Sequence, residues 1–437
     1  MWRCLSLASW LAVVSACQFE RPPNIDPIDA RDVDAVDAPP PCTPSTTVCD
    51  DAAGVYTECD AAGAVVRQLT CPLGCATDTE QCLDIDPHNG LAMYLDMVAD
   101  PPDVVLAGPA TIDPATGLVF DNGLSIPIPT FVTAGGVRVF VTNSLSVSGP
   151  LTVSPTSSLS HPIAVVSHGD IVIHALIDVS ARLDRSGPGG WPGNDPQHSQ
   201  SDDCIGRPVF AGPPSPGGGG GGGATAGAAG GAANAAAGGV PGVAQADFEP
   251  LHGGCAGGGS LVAGEAFGGG GGGGLQLSSR TAIRIESAGG INASGGGGVS
   301  AGLSLGGTGG GSGGNILIEA PQVVLSGTAV VISTKGGGGG GASSSTAAGG
   351  PGGDGGLNAV PAAGGSSPVG DIGGRGAVDG APEPGGDASG GNNSGGGGGG
   401  AMGTVLFATR AGTIVPLGGA AVRGQRQDEA LRTRHVP

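Results

Sequence analysis

The chain has 437 residues, of which 92 are Gly and 35 Pro, with 3% aromatic and 12% charged residues and a formal net charge of −20. Ordinary globular proteins use about 7% Gly and about 25% charged residues, so a conventional compact enzyme domain is excluded. A single Lys, Lys335, accompanies the arginines and no clustered positive face exists, which excludes nucleic acid as a partner.

Residues 1–16 read as a signal peptide. A short positive start at Met1-Trp2-Arg3 precedes the apolar run 5–14, which is too short to span a bilayer at about 20 residues. The run ends Val14-Ser15-Ala16-Cys17, which resembles a bacterial lipobox, so Cys17 is the expected lipidation site and mature N-terminus. Gln18 follows rather than an Asp that would retain the protein on the inner membrane, which points to the outer membrane, facing periplasm or exterior. Residues 17–41 then form a tether. Six acids, two Arg and six Pro between 18 and 41 leave too little apolar surface to offset chain entropy. A Pro-rich chain of this kind extends by about 3 Å per residue.

Ten cysteines follow a simple division. Cys4 departs with the signal peptide and Cys17 carries lipid. Cys42, Cys49, Cys59, Cys71, Cys75 and Cys82 form a dense module over 42–83 with too few apolar residues to fold unaided, so three disulfides are expected. Zinc is the weaker reading, since no His lies between the first and the last of them. Spacing does not fix the pairing. Cys204 and Cys255, in Gly-rich surroundings, are expected to bond to each other, closing a long loop that has little else to order it.

From residue 90 to 416 the apolar residues alternate and break at Gly, Pro, Ser or Asn, a strand pattern without a 3.6-residue period. Four stretches superimpose: Leu145-Ser-Val147 with Leu151-Thr-Val153, Ile171-Val-Ile173 with Ile177-Asp-Val179, Ile283-Arg-Ile285 with Ile291-Asn-Ala293, and Val323-Val-Leu325 with Val330-Val-Ile332. A third strand precedes the pair at 163–166, 275–277 and 316–318. A repeat of about two dozen residues with turns too brief for a helix must stack on its own copies to bury side chains. The expected fold is therefore all-β, a right-handed parallel β-helix, with a β-sandwich as the alternative. Residues 417–437 are expected to be a flexible tail.

Gly follows the aligned Ser in three rows, at Gly187, Gly295 and Gly336, so the long insertions at about 187–274 and 336–402 should leave one corner of the coil and project from one face. Collagen is excluded, because Gly falls in blocks rather than at every third position. The blocks 217–223, 268–274, 336–341 and 395–400 should run side by side and bond laterally through their backbones as a sheaf of extended chains.

The lipobox at 14–17, the module at 42–82, and the stretches Thr111-Ile-Asp-Pro-Ala-Thr-Gly117, Asp170-Ile-Val-Ile173 and Gly187-Pro-Gly-Gly190 together resemble a group of Gly-rich surface lipoproteins from high-GC Gram-negative bacteria. The resemblance implies the same order of anchor, acidic tether, cysteine module and β-helix. It brings no activity with it.

Candidate chemistry is sparse. Ser312 sits in a formal G-x-S-x-G, but no strand-turn-helix surrounds it. Asp354 lies in a single imperfect copy of the calcium nonapeptide, whose binding needs tandem copies. No cofactor or metal is expected. His174, Asp178 and Arg182 fall on one coil and form the only candidate site for a polysaccharide lyase or hydrolase; the plainer reading makes them solvated wall positions. Trp191, Phe210, Phe248 and Phe267 read as anchors that dock the large insertion. The leading expectation is a non-enzymatic, lipid-anchored surface protein, structural or adhesive, that meets a polysaccharide or protein through its Gly-rich face. The alternative is a polysaccharide-active enzyme on the same scaffold.

Overall fold

The computed structural model describes residues 42–436 apart from 72, 77–80, 194–202, 209–211, 246, 260–266, 300, 301, 413 and 415–417. The signal peptide, Cys17, the tether and Phe210 therefore lie outside the described residues. The chain divides into a small unit, which includes residues 42–47 and Thr57–Gln68, and a large unit of Val48–Tyr56 and Leu69–Pro437. The small unit is closed by the Cys42–Cys59 disulfide, with Cα atoms 5.8 Å apart. Its turn is made by Asp60, whose Oδ1 accepts the N–H groups of Ala62 and Ala64 at 2.8 Å each. The large unit holds the Cys49–Cys75, Cys71–Cys82 and Cys204–Cys255 bonds. All the cysteines from 42 to 255 are thus oxidised, and the three neighbouring sulfurs of Cys49, Cys71 and Cys75 belong to disulfides rather than to a zinc site.

The body of the large unit is a stack of parallel sheets, arranged like a solenoid with three walls. The first wall contains Arg138–Thr142, Ile163–Ser167, Leu275–Ser279, Ile316–Glu319, Thr404–Thr409 and Gln425–Ala430. The second runs from Asp103–Leu106 through Ser144–Val147, Ile171–Ile173 and Ala282–Glu286 to Gln322–Ser326. The third contains Ala110–Ile112, Leu151–Val153, Leu176–Asp178, Gly290–Asn292, Val331–Ser333 and Ala421–Arg423. Pairing between successive copies is parallel and in register: Leu145 faces Ile171, Ile171 faces Ile283, and Ile283 faces Val323. Antiparallel pairing occurs at one end, where Val119–Asp121 and Leu124–Ile126 form a hairpin beside the third wall and Thr130–Val132 pairs with Arg138–Thr142. The long parallel ladders are not those of the sandwich alternative.

The repeat alignment fails in one place. Ile291 pairs with Ile332, not with Val330, so the last half-row is offset by two residues. A two-residue slip returns every side chain to the same face, and hydrophobic alternation cannot detect it. Inward side chains form one continuous core that includes Val147, Ile171, Ile173, Ile283, Ile285, Ile291, Ile318 and Phe407, each essentially free of solvent. The first wall is covered on its outer side too: Val139, Val141, Ala164 and Val166 pack against Ile85, Leu91 and Leu95, and Leu317 and Leu406 pack against Phe248. A strand buried on both faces loses its alternation, which explains the continuous apolar run Ile163-Ala-Val-Val166.

The expected flexible tail is instead ordered. Ala421–Arg423 and Gln425–Ala430 extend the third and first walls, and Thr433–Val436 pairs antiparallel with Cys82–Ile85. Its charge-rich composition suits an edge, since alternate residues of Gln425–Ala430 face solvent and charges there discourage further strand addition.

Candidate functional site

The Gly-rich insertions leave the stack between the third and first walls. Blocks 268–274, 306–314 and 395–403 run directly into the first-wall strands that begin at Leu275, Ile316 and Thr404. An extended chain with three residues per turn points successive N–H groups about 120° apart, and its carbonyls likewise. Such a chain meets six neighbours, three as donor and three as acceptor, provided no side chain intervenes.

That is the arrangement found. Gly395, Gly398 and Ala401 donate to Ser215, Gly218 and Gly221; Gly396 and Gly399 donate to Gly386 and Glu383; Gly397 and Gly400 donate to Gly340 and Gly337. In return, the carbonyls of Gly395 and Gly398 accept from Gly307 and Gly310, those of Gly396 and Gly399 from Gly231 and Ala228, and those of Gly397 and Gly400 from Gly374 and Ala377. Partner numbers advance or retreat in steps of three, so parallel and antiparallel neighbours coexist. The blocks 217–223, 268–274 and 336–341 show the same period, for instance Gly218 to Gly307 and Gly221 to Gly310 at 2.9 Å each. The expected sheaf is therefore present, and it joins the wall strands end to end.

Gly is required inside the sheaf because backbones touch. A Cβ built on Gly220 would overlap the Gly399 carbonyl, one on Gly271 the Gly254 carbonyl, and one on Gly398 the Ala228 carbonyl. Outer strands relax this rule at one position in three: Val240 and Val243 are exposed on one strand, Ala363 and Ser366 on another, and Ile372 and Arg375 on a third. Ser312 and Thr308 are exceptions within an interior strand: the Ser312 Oγ accepts the Cys255 N–H at 2.8 Å, and the Thr308 Oγ1 donates to the Val299 carbonyl at 3.1 Å. The Ser312 hydroxyl is a strut, not a nucleophile. Asp354 is another strut, its Oδ1 accepting the N–H groups of Leu183 and Gly297 at 2.8 Å each. Phe248 packs against the first wall, as expected of an anchor, whereas Trp191 packs on the Cys204–Cys255 cluster within the insertion itself.

A second concentration of polar groups lies over the first wall. His88 is 3% exposed; its Nδ1 lies 2.5 Å from Oε1 of the buried Glu319 and its Nε2 lies 3.0 Å from Glu429. The other Glu319 oxygen accepts from Gln276 Nε2 at 2.6 Å and Ser278 Oγ at 2.7 Å. Asn89 donates to Gln276 at 2.8 Å and accepts the Leu251 N–H at 2.7 Å. Burial pushes the His88 imidazole down, but the hydrogen bond and charge of Glu319, aided by Glu429 and opposed by Arg432, outweigh it and raise its pKa. Nearby, Asp84 and Asp96 are held by Arg280 and Arg434, and Arg434 is the first influence holding the Asp96 carboxyl below the usual carboxylate range. The two clusters fasten the 82–97 segment, the sheets and the C-terminal strand to one another.

A cleft of about 650 Å³ opens beside this network, lined by Asp86, Asn89, Tyr94, Thr133, Glu249 and Arg432 among others. Within it Arg432 donates to Glu249 at 2.6 Å. Both ring nitrogens of His88 face carboxylates, Glu319 at Nδ1 and Glu429 at Nε2, and the ring is almost wholly buried. No sequence signal marked this cluster, because His88 and Glu319 stand 231 positions apart.

The predicted constellation of His174, Asp178 and Arg182 is brought together only in part. Arg182 Nη2 lies 3.0 Å from Asp178 Oδ2. The other Asp178 oxygen accepts from Ser180 N, Ser180 Oγ and Asn292 Nδ2 at 3.1, 2.6 and 3.1 Å. Among the described residues no hydrogen bond or ion pair joins His174 to either. Asp178 thus serves to brace one coil against the next.

No protein-family model, curated protein or solved structure matches the chain. The four disulfides are consistent with an exported protein. Among the described residues no helix is long and apolar enough to cross a membrane.

Proposed function

We propose that the protein is a non-enzymatic surface lipoprotein, exported and anchored in the outer membrane through Cys17, in which a right-handed parallel β-helix carries the Gly sheaf as a rigid contact face for a polysaccharide or protein. One observation carries this reading: the long insertions, which in an enzyme would supply reactive side chains, are spent on a block of backbone whose interior strands bond to neighbours on six sides. Such a block is stiff and has almost no chemistry. Asp178 and Arg182 are engaged by structural partners and, among the described residues, His174 is not joined to them, which supports a scaffold over catalysis.

Two measurements test it. Cys17→Ala should no longer incorporate labelled fatty acid and should leave the membrane fraction; equal labelling of that variant would refute the anchor. The purified protein, incubated with acidic polysaccharides with and without calcium, should form no unsaturated product absorbing in the ultraviolet. Formation of that product would replace the scaffold by a lyase.

A further inference from the structure

Lys335 is the only lysine in the chain, and it is 1% exposed. It stands just past Val331–Ser333, where the third wall passes into the sheaf. Its Nζ donates to Asn358 Oδ1 at 2.8 Å and to the Val360 carbonyl at 2.7 Å. Among the described residues no carboxylate forms an ion pair with it. Burial first, and then the like charge of Arg423, push its ammonium below the usual lysine range against the pull of Asp379. Every other basic residue outside the histidines is Arg, which stays charged in proteins. The one residue type able to become a neutral amine nucleophile is thus placed once, under cover, against a side-chain amide.

The amide is activated as well as near. Asn358 Oδ1 also accepts the Val360 N–H at 3.2 Å. Once Nζ becomes the nucleophile, this backbone N–H remains on Oδ1 and would stabilise the negative charge building there during addition.

We propose that Lys335 and Asn358 become joined by an intramolecular isopeptide bond. The ammonium loses a proton to solvent, and the Nζ lone pair adds to Asn358 Cγ. The Nζ–Cγ bond forms and the Cγ–Nδ2 bond breaks, while a second proton from Nζ passes to Nδ2, which leaves as ammonia. Atoms and electrons balance with no oxidant, metal or co-substrate. The product closes a 23-residue loop, since that is the separation of the two residues, and fixes the root of the second insertion to the wall.

The lysine count makes the test decisive. No Arg lies between Arg284 and Arg375, and Lys335 is the only other tryptic site in that interval. Tryptic digestion of the full, reduced and denatured protein should yield one peptide spanning 285–375, lighter by one ammonia than its sequence. Lys335→Arg should instead be cut at 335 and give two peptides of unaltered mass. Two linear peptides, 285–335 and 336–375, from the unmutated protein would overturn the proposal. The unmutated digest decides the matter even if the variant does not accumulate.

Discussion

Replacing Gly398 by Ala adds one methyl group at a place where two backbones touch. A Cβ there overlaps the Ala228 carbonyl and lies 2.7 Å from the Ala229 oxygen, whereas ordinary contact begins at 3.4 Å. The strand carrying Ala228 must therefore retreat by about an ångström, and no flexible side chain absorbs the move. The Ala228 N–H to Gly399 bond at 3.0 Å and the Gly231 N–H to Gly396 bond at 2.7 Å then stretch out of range. Each buried pair left unmade costs about 1–3 kcal/mol, so the variant should lose about 2–6 kcal/mol. Gly391 provides the control, since a Cβ there meets nothing within 4 Å. Gly391→Ala should instead stabilise slightly, by about 0.4–1 kcal/mol, through the entropy of the unfolded chain. Urea unfolding followed by circular dichroism reads both, and amide exchange across 217–223, 268–274, 336–341 and 395–400 reads the sheaf directly. Equal stability of the two variants, or exchange at the free-chain rate in all four blocks, would refute the packed sheaf.

Stability should form a plateau in pH. His88 has a raised pKa, so its contribution is complete below its ordinary value of 6.5 and lost as pH rises through the raised one; Asp96 has a lowered pKa, so its contribution is complete above 3.8 and lost as pH falls through the lowered one. Thermal melting across pH should show His88→Gln with a flattened alkaline limb, and an unchanged limb would remove His88 as its cause. Replacing Cys204 and Cys255 by Ser opens a loop whose ends are 51 residues apart and should cost about 4 kcal/mol on the chain-entropy estimate. A denaturation midpoint equal to that of the parent would mean the sheaf fixes those ends unaided.

The repeat was legible because each copy must bury the same inward residues, and the pairing of Leu145 with Ile171 and of Ile171 with Ile283 follows from that. The offset at Ile332 was not legible, since a slip by two leaves the pattern intact. The C-terminal strand escaped for a different reason. Gln425–Ala430 has an edge strand's polar composition, and polar residues near a terminus also describe a loose tail. The buried His88 cluster depends on groups brought together from opposite ends of the chain, and local sequence carries no trace of it. Asp178 and Ser312 show the reverse case: both carry residue types that chemistry uses, and each spends its oxygens on neighbouring coils or strands.

The Gly blocks are commonly read as low complexity, yet here composition reports how many neighbours a strand has. A strand with contacts on all six sides has no room for a Cβ on any of its three faces, and such strands are nearly pure Gly, as at 217–223 and 395–400. A strand at the surface keeps Gly on its inward faces and releases the third. Gly239 and Gly242 donate inward to Gly217 and Gly220, while Val240 and Val243 occupy the free face, 61% and 51% exposed. Those outward side chains have a second consequence. An uncovered row of backbone groups would accept another extended chain, as an open sheet edge accepts another strand. Val, Ile or Arg at every third position holds such a chain away, so the sheaf stops growing where side chains begin. Its width is therefore written in the sequence as the point at which unbroken Gly gives way to one larger residue in three.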